Sequence, residues 1–351
     1  MKRLVLAALV ASLGAIGAAS AEPDQVYTIP EFTFENRERL ESMKVGYSTH
    51  GTLDADRSNA VLITHGTSQN RNVYNLFIGP GKALDTDQYF IVAVDAIGGG
   101  LSSQPKDGLG TNFPEYTVRD MVRAQHELVS KHFGIQKLHA VGGPSMGAFQ
   151  ALEWGINYPD AMKGLMLIVP GGRSDRHVHA IFDAVETAIK LDPKYQGGEY
   201  TENPKEGIVL GGMIYFPWLY TDEHINTIGD KEWDAAIRSF GEGWAKAWDA
   251  NGLLLRYHAS RNFDASKPFG GDLEEALAQV KARALIMPGM TDRTLPTYMA
   301  RELYRGIEDA QYVEIPSYLG HLACCPSSDQ TAEYAFIAQQ MKTFLAELQE
   351  R

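Results

Sequence analysis

One short stretch constrains this chain more than any other, Gly142-Gly143-Pro144-Ser145-Met146-Gly147. An apolar run with strand character, Lys137 to Val141, precedes it, and Ala148 to Tyr158 behind it reads as a helix. A serine at a sharp strand-to-helix turn, with glycine two residues to either side, predicts a nucleophile elbow. The turn must hold the serine in a strained conformation and push its hydroxyl out of the sheet. Gly143 and Gly147 leave room for that because they lack a Cβ. The helix N-terminus behind Ser145 offers free N–H groups and a partial positive charge to a developing oxyanion. A phosphate-binding loop fits less well, since Pro144 stands at the middle glycine position of a Gly-x-Gly-x-x-Gly fingerprint. The bland alternative is an ordinary strand-helix turn with a capping serine.

The N-terminus has the pattern of a secretory leader. Lys2 and Arg3 are followed by an apolar, small-residue run to Ala18, and Ala19-Ser20-Ala21 fits a cleavage site. The expectation is a leader over 1–21 and an exported product, periplasmic or secreted. The formal charge is −12 with Lys2 and Arg3 counted, and two units more negative without them. That balance argues against nucleic acid or an anionic membrane as a partner, because both need a basic face. No later run is long and apolar enough for a membrane span. The two cysteines, Cys324 and Cys325, are neighbours, so a bridge between them would staple almost nothing, and free thiols are the preferred reading.

Tyr27–Phe34 and Met43–Thr49 alternate as strands. Asn59–Thr64 and Tyr89–Asp95 are apolar strands, and Thr117–Phe133 is a helix leading into the elbow strand. Lys163–Val169, Ala282–Met287 and Gln311–Ile315 follow as short strands, and a last helix is predicted from an N-cap at Ser328-Asp329 to Leu348. Apolar strands separated by helices predict an α/β fold with a mostly parallel sheet covered on both faces. Between Val169 and Ala282 the rhythm breaks into an aromatic-rich, mainly helical stretch, with Trp218, Tyr220, Trp233, Trp244 and Trp248. The predicted organisation is a core of 22–170 and 281–351 with a helical cap, 171–280, inserted before the last two strands.

A serine nucleophile needs a base and the base an orienting acid. His321, in the loop Tyr318-Leu319-Gly320-His321 after the last strand, is the predicted base. Asp292, in the turn after the strand ending at Met287, is the predicted acid, with Asp175 as the competitor. The backbone N–H groups of Met146 and Thr67 are the predicted oxyanion donors. His65 is read as holding its loop. His258 lies within the cap stretch and is set aside. The pair His177 and His179 has no visible third ligand, so no metal is expected, and no organic cofactor is implied.

These residues resemble the α/β-hydrolase superfamily, and within it the homoserine O-acetyltransferase group. The similarity runs through Val118-Arg119-Asp120-Met121-Val122-Arg123-Ala124-Gln125 and through Ser145-Met146-Gly147 with Gln150-Ala151-Leu152-Glu153-Trp154 and Tyr158-Pro159-Asp160. It continues in Asp95-Ala96-Ile97-Gly98-Gly99-Gly100 with Ser102-Ser103, in Ala188-Ile189, Asp192-Pro193 and Gly197-Gly198-Glu199-Tyr200, and in Asp292 with Leu295-Pro296 and Gly320-His321. The resemblance implies the α/β-hydrolase fold, a small-molecule acyl substrate and a homodimer formed through the cap. The chain departs from the group at Gly211-Gly212, where the family usually carries Ala-Arg, at Pro144, where the group has glycine, and at Ala148, where it often has a third glycine. Losing that arginine, together with a leader that would separate the enzyme from acyl-CoA, favours water as the acyl acceptor. The sequence reading is thus an exported serine hydrolase of a small ester, thioester, lactone or amide. The alternatives are an acyltransferase of the homoserine type and a non-catalytic binding protein that keeps the fold.

Overall fold

Strands that are apolar on every residue need cover on both faces, and the chain supplies it. In a computed structural model describing residues 24–350, one eight-stranded sheet runs through the molecule in the order β1-β2-β4-β3-β5-β6-β7-β8. The strands are β1 Gln25–Thr33, β2 Arg39–His50, β3 Ala60–Ile63, β4 Phe90–Val94, β5 Leu138–Pro144, β6 Met162–Ile168, β7 Arg283–Met287 and β8 Ala310–Tyr312. β1 pairs antiparallel with β2 and β2 with β4, and every other pairing is parallel. The predicted leader, 1–21, lies outside the described residues.

Alternation along the central strands divides their side chains between two layers. Val61, Ile63, Ile91, Ala93 and Ala140 pack against Tyr74, Phe77 and the C-terminal helix on one face. Leu62, Val92, Val94 and Val141 pack on the other, with Met121, Val122, Leu152 and Trp154. The helices used below are α1 Val118–Glu127, α2 Met146–Asn157, α3 Arg176–Lys190, α4 Lys205–Leu219, α5 Trp233–Ala247, α6 Ala250–Arg261, α7 Thr297–Gly306 and α8 Ala332–Glu347. Helices α3 to α6 all fall between β6 and β7, where the strand rhythm breaks.

Two predicted helix boundaries move. The α-helix before the elbow strand ends at Glu127 and passes into a wider turn, Leu128–His132. The last helix begins later than predicted because Thr331, not Ser328 or Asp329, caps it. The Thr331 hydroxyl accepts from Tyr334 N–H at 3.1 Å and donates to the Ser328 carbonyl, so 328–330 form a turn.

The glycines of the insertion form a packing seam. A Cβ at Gly212 would lie 2.8 Å from the Gly241 Cα, and one at Gly241 would lie 2.3 Å from the Val209 carbonyl oxygen. So α4 and α5 touch backbone to backbone there. Gly241→Ala gains about 1 kcal/mol of helix propensity, but the clash is with main chain and cannot rotate away. The substitution is expected to lower stability by about 1–3 kcal/mol net, read as a shift in the urea unfolding midpoint. A midpoint that rises would show that the seam is loose.

Candidate active site

The elbow forms because β5 ends against β6 while α2 begins at once. Ser145 is left at φ 57°, ψ −120°, between the last strand residue and the first helical one. Its N–H is tied to the Ile168 carbonyl at 2.9 Å, and its own carbonyl accepts from Ala148 and Phe149. A Cβ at Gly143 would lie 2.4 Å from the Thr64 carbonyl oxygen, and one at Gly147 3.1 Å from His65 N. Glycine at those two positions lets β3 and the loop after it approach the turn.

The structure brings Ser145, His321 and Asp292 into one hydrogen-bonded line. His321 Nε2 lies 3.0 Å from Ser145 Oγ, and His321 Nδ1 lies 2.7 Å from Asp292 Oδ2. The other Asp292 oxygen accepts from Thr294 N–H at 2.8 Å and Leu295 N–H at 2.9 Å. A carboxylate so engaged accepts the Nδ1 proton, which leaves Nε2 as the acceptor facing the serine hydroxyl. Both side chains are buried, and Ser145 itself is half-buried. His321 stands on a short 3₁₀ turn, Gly320–Cys324, entered through Gly320 at φ 65°. That turn is pressed against the insertion, since a Cβ at Gly320 would lie 2.7 Å from the Leu219 carbonyl oxygen, and the Thr221 hydroxyl donates to the Tyr318 carbonyl.

Asp175, the competing acid, is elsewhere. It caps α3, accepting from His177 N–H at 3.0 Å and Val178 N–H at 3.1 Å, and the Tyr298 hydroxyl donates to it. His258 lies on α6, partly exposed, 3.6 Å from Glu115. His177 Nε2 meets the Arg293 carbonyl at 2.6 Å, and its ring packs on Trp218. Cys324 and Cys325 are free thiols.

Neither the Met146 nor the Thr67 backbone N–H is among the turn, loop and cap hydrogen bonds of the described residues. Met146 is the first residue of α2, so no carbonyl a turn back accepts its N–H. In the other loop, Gly66 N–H is engaged by Gln69 Oε1 at 2.8 Å. The Thr67 side chain is fixed separately, by Ser260 Oγ of α6 at 2.8 Å.

Several supporting residues went unnoticed in the sequence reading or were quoted there only for resemblance. The Gln150 amide donates to the His65 carbonyl at 3.1 Å and the Met146 carbonyl at 3.2 Å. Gln125 donates to Gln150 at 2.6 Å and accepts from Trp154 Nε1 at 2.9 Å. Gln125 and Gln150 sit on the buried faces of α1 and α2, and an amide on an apolar face was the one signal available for them. Gln69 and Ser260 lie in polar surroundings and gave no signal.

His65 ties the loop after β3 to the loop after β4. Its Nε2 accepts from Ala96 N–H at 2.9 Å, which makes Nδ1, 2.8 Å from the Gly66 carbonyl, the protonated nitrogen. Burial pushes its pKa down to about 4; the nearby carboxylate of Asp95 opposes the shift, and the cations Arg256 and Arg71 reinforce it.

Residues 59–324 match the α/β hydrolase fold family. A homoserine O-acetyltransferase from Leptospira biflexa is 30% identical over 353 residues, covering 90% of this chain and 93% of the relative. The chain belongs to the α/β-hydrolase family, in its homoserine O-acetyltransferase group. Among solved structures, an acetylester hydrolase from Corynebacterium glutamicum has a TM-score of 0.87 at 27% identity, over 92% of this chain and 96% of that one. A homoserine O-acetyltransferase from Bacillus anthracis has a TM-score of 0.84 at 26% identity, over 93% and 98%. The chain is an enzyme of this superfamily.

These relatives overturn the exported hydrolase expected from the sequence. Gly211-Gly212 and the leader are the two features that favour water as acceptor. Gly212 lies in the α4–α5 seam, where a Cβ would come 2.8 Å from the Gly241 Cα, so glycine there has a packing role whichever acceptor is used. The leader lies outside the described residues. Relatives matched over 80–90% of the chain are named for acyl transfer to homoserine. The periplasmic or secreted location, read from the leader pattern, is corrected by the same relatives, which are named for acyl transfer to homoserine.

The depressed pKa of His65 sets a pH dependence of stability. Between about 6.5, its value in an unfolded chain, and about 4, the unfolded chain takes up a proton that the folded one refuses. Stability is full above that window, falls as pH drops through it and levels off below. The full shift corresponds to roughly 3 kcal/mol. Urea unfolding at pH 7 and at pH 4.5 should show a larger loss in the wild type than in His65→Asn. Equal losses would mean that His65 is not held neutral.

Proposed function

We propose that the chain is an acyltransferase, moving a short acyl group from a thioester donor to the side-chain hydroxyl of homoserine or a close amino-acid relative. The observation that carries this reading is a Ser145–His321–Asp292 line with hydrogen-bond geometry, in a chain matched along most of its length by homoserine O-acyltransferases. In this reading His321 Nε2 takes the Ser145 proton as Oγ attacks the acyl carbon of the donor. The oxyanion accepts from Met146 and Thr67 N–H, each donor worth ~2.7–4 kcal/mol. His321 then protonates the departing thiolate. The acceptor hydroxyl enters, gives its proton to His321 and attacks the acyl-serine, and the acylated product leaves with Ser145 restored. Asp292 keeps the imidazole in the right tautomer and stabilises its charged form.

The described residues up to 170 and from 281 are the catalytic core, and 171–280 is the cap that shields the acyl-serine from water. Exclusion of water is what separates transfer from hydrolysis on the same serine.

The test uses acetyl-CoA with and without L-homoserine. Thiol release should depend on homoserine and match O-acetylhomoserine mole for mole, and Ser145→Ala should abolish both. Thiol release unaffected by homoserine, with all acyl recovered as free acid, would sink the proposal. For the acid, Asp292→Asn should lower kcat by about 10⁴-fold, because it favours the wrong imidazole tautomer. Asp175→Asn should stay within a few fold of wild type, since asparagine caps a helix about as well as aspartate. The reverse ranking in steady-state assays would exchange their roles.

A further inference from the structure

The most unusual charge in the molecule is Arg256, on α6. It is 1% exposed. Its guanidinium packs on the Trp248 ring, 4.2 Å from the centroid, and against the Gly99 backbone, where a Cβ would lie 3.0 Å from Nη1 and 3.1 Å from Cζ. Its bonds go to main-chain carbonyls alone, Nε to Gly252 at 3.4 Å and Nη1 to Gln69 at 3.2 Å. Among the described residues no carboxylate comes within ion-pair distance of the guanidinium, although the charges of Asp95 and Asp249 act on it from further off. A buried cation without a counter-charge is costly, and a ligand that brought the anion would offset that cost.

The nearby acids are already engaged. Asp95 is paired with Arg71 and accepts from Arg71 and Leu101 N–H at 3.0 Å each. Asp249 accepts from the Tyr200 hydroxyl at 2.6 Å and Gly252 N–H at 3.1 Å. The Tyr116 hydroxyl and Trp248 Nε1 are sealed from solvent with no hydrogen-bond partner. Beside Arg256 the Tyr257 hydroxyl is also buried without a hydrogen-bond partner. Tyr116 stands beside Arg256, since a Cβ at Gly98 would strike its Oη at 2.0 Å and Arg256 Cγ at 3.3 Å. Burial raises the Tyr116 pKa, so its hydroxyl keeps a proton to donate. The hydroxyls of Tyr116 and Tyr257 can each donate to an anion held by the guanidinium. A planar guanidinium with both faces covered presents its edge, which matches a carboxylate in bidentate fashion.

The location is beside the chemistry. One turn further along α6, Ser260 holds the Thr67 hydroxyl, while Arg256 holds the Gln69 carbonyl. These two loop residues flank Ser68 next to the oxyanion donor. We propose that Arg256, with the Tyr116 hydroxyl, binds the carboxylate of the acyl acceptor. The proposal rests on the transfer reading for the identity of that acceptor. It also explains how a chain with a glycine seam on α4 can still recognise an amino acid, with the cation supplied from α6.

Calorimetric titration of the Ser145→Ala protein tests this without turnover. L-Homoserine should bind at least tenfold more tightly than L-homoserinol, in which a hydroxymethyl group replaces the carboxylate. Arg256→Met should erase that preference and Arg256→Lys should keep part of it. Equal binding of the two ligands to Ser145→Ala overturns the subsite, whether or not the Arg256 variants fold. So does a preference that survives in a folded Arg256→Met protein. Succinate, which has no hydroxyl to acylate, separates the two proposals. Saturable succinate binding that Arg256→Met abolishes, in an enzyme that transfers nothing to homoserine, would uphold the anion subsite and sink the transfer reading.

Discussion

Ser145 is held at a positive φ, and much of the molecule exists to hold it there. A non-glycine residue in such a conformation costs on the order of 1–3 kcal/mol and persists only where its surroundings over-determine it. Here the neighbours supply that constraint. The parallel pairing of β5 with β6 delivers the Ile168 carbonyl to the serine N–H. The Thr64 hydroxyl reaches the carbonyls of Gly142 and Gly147 at 3.1 and 2.9 Å, clamping the turn from the β3 side. Gln150 binds the carbonyl of Met146 behind it and the carbonyl of His65 opposite. The strain at one residue is thus shared among β3, β5, β6 and α2.

Similar contacts surround the candidate oxyanion donors. Neighbouring polar groups are engaged elsewhere: Gly66 N–H by Gln69, His65 Nε2 by Ala96 and the Thr67 hydroxyl by Ser260. Two of these ties come from other parts of the chain, and one of those from the helical insertion. The insertion therefore does more than cover the sheet. Through Ser260 and Arg256 it touches the loop of Thr67 and Gln69, and through Leu219 and Thr221 it braces the turn that carries His321.

The strand pattern was readable because an apolar run buried on both faces leaves a continuous signature, as in Phe90–Val94. The elbow was readable because its geometry admits few residue types. Asp292 and His321 could be singled out by their place after particular strands, although nothing local distinguishes Asp292 from Asp175, which turned out to be a helix cap. Arg256 was invisible for the opposite reason. An arginine in a helix rich in leucine and polar residues reads as a solvated face, and its burial depends on Trp248, Tyr116 and Gly99, each from a different segment. Gly211-Gly212 was misleading in the same way. Taken along the chain it is a lost arginine, and in space Gly212 is where two helices touch.

By itself the sequence determined the sheet, the strained serine turn and the family, because each follows from local composition and short-range order. Only the tertiary structure decided which acid meets His321, which backbone N–H groups stand outside the loop hydrogen bonds and which cation has no carboxylate within ion-pair distance. Those are questions of what lies opposite what, and the partners are separated by tens to hundreds of residues in the chain.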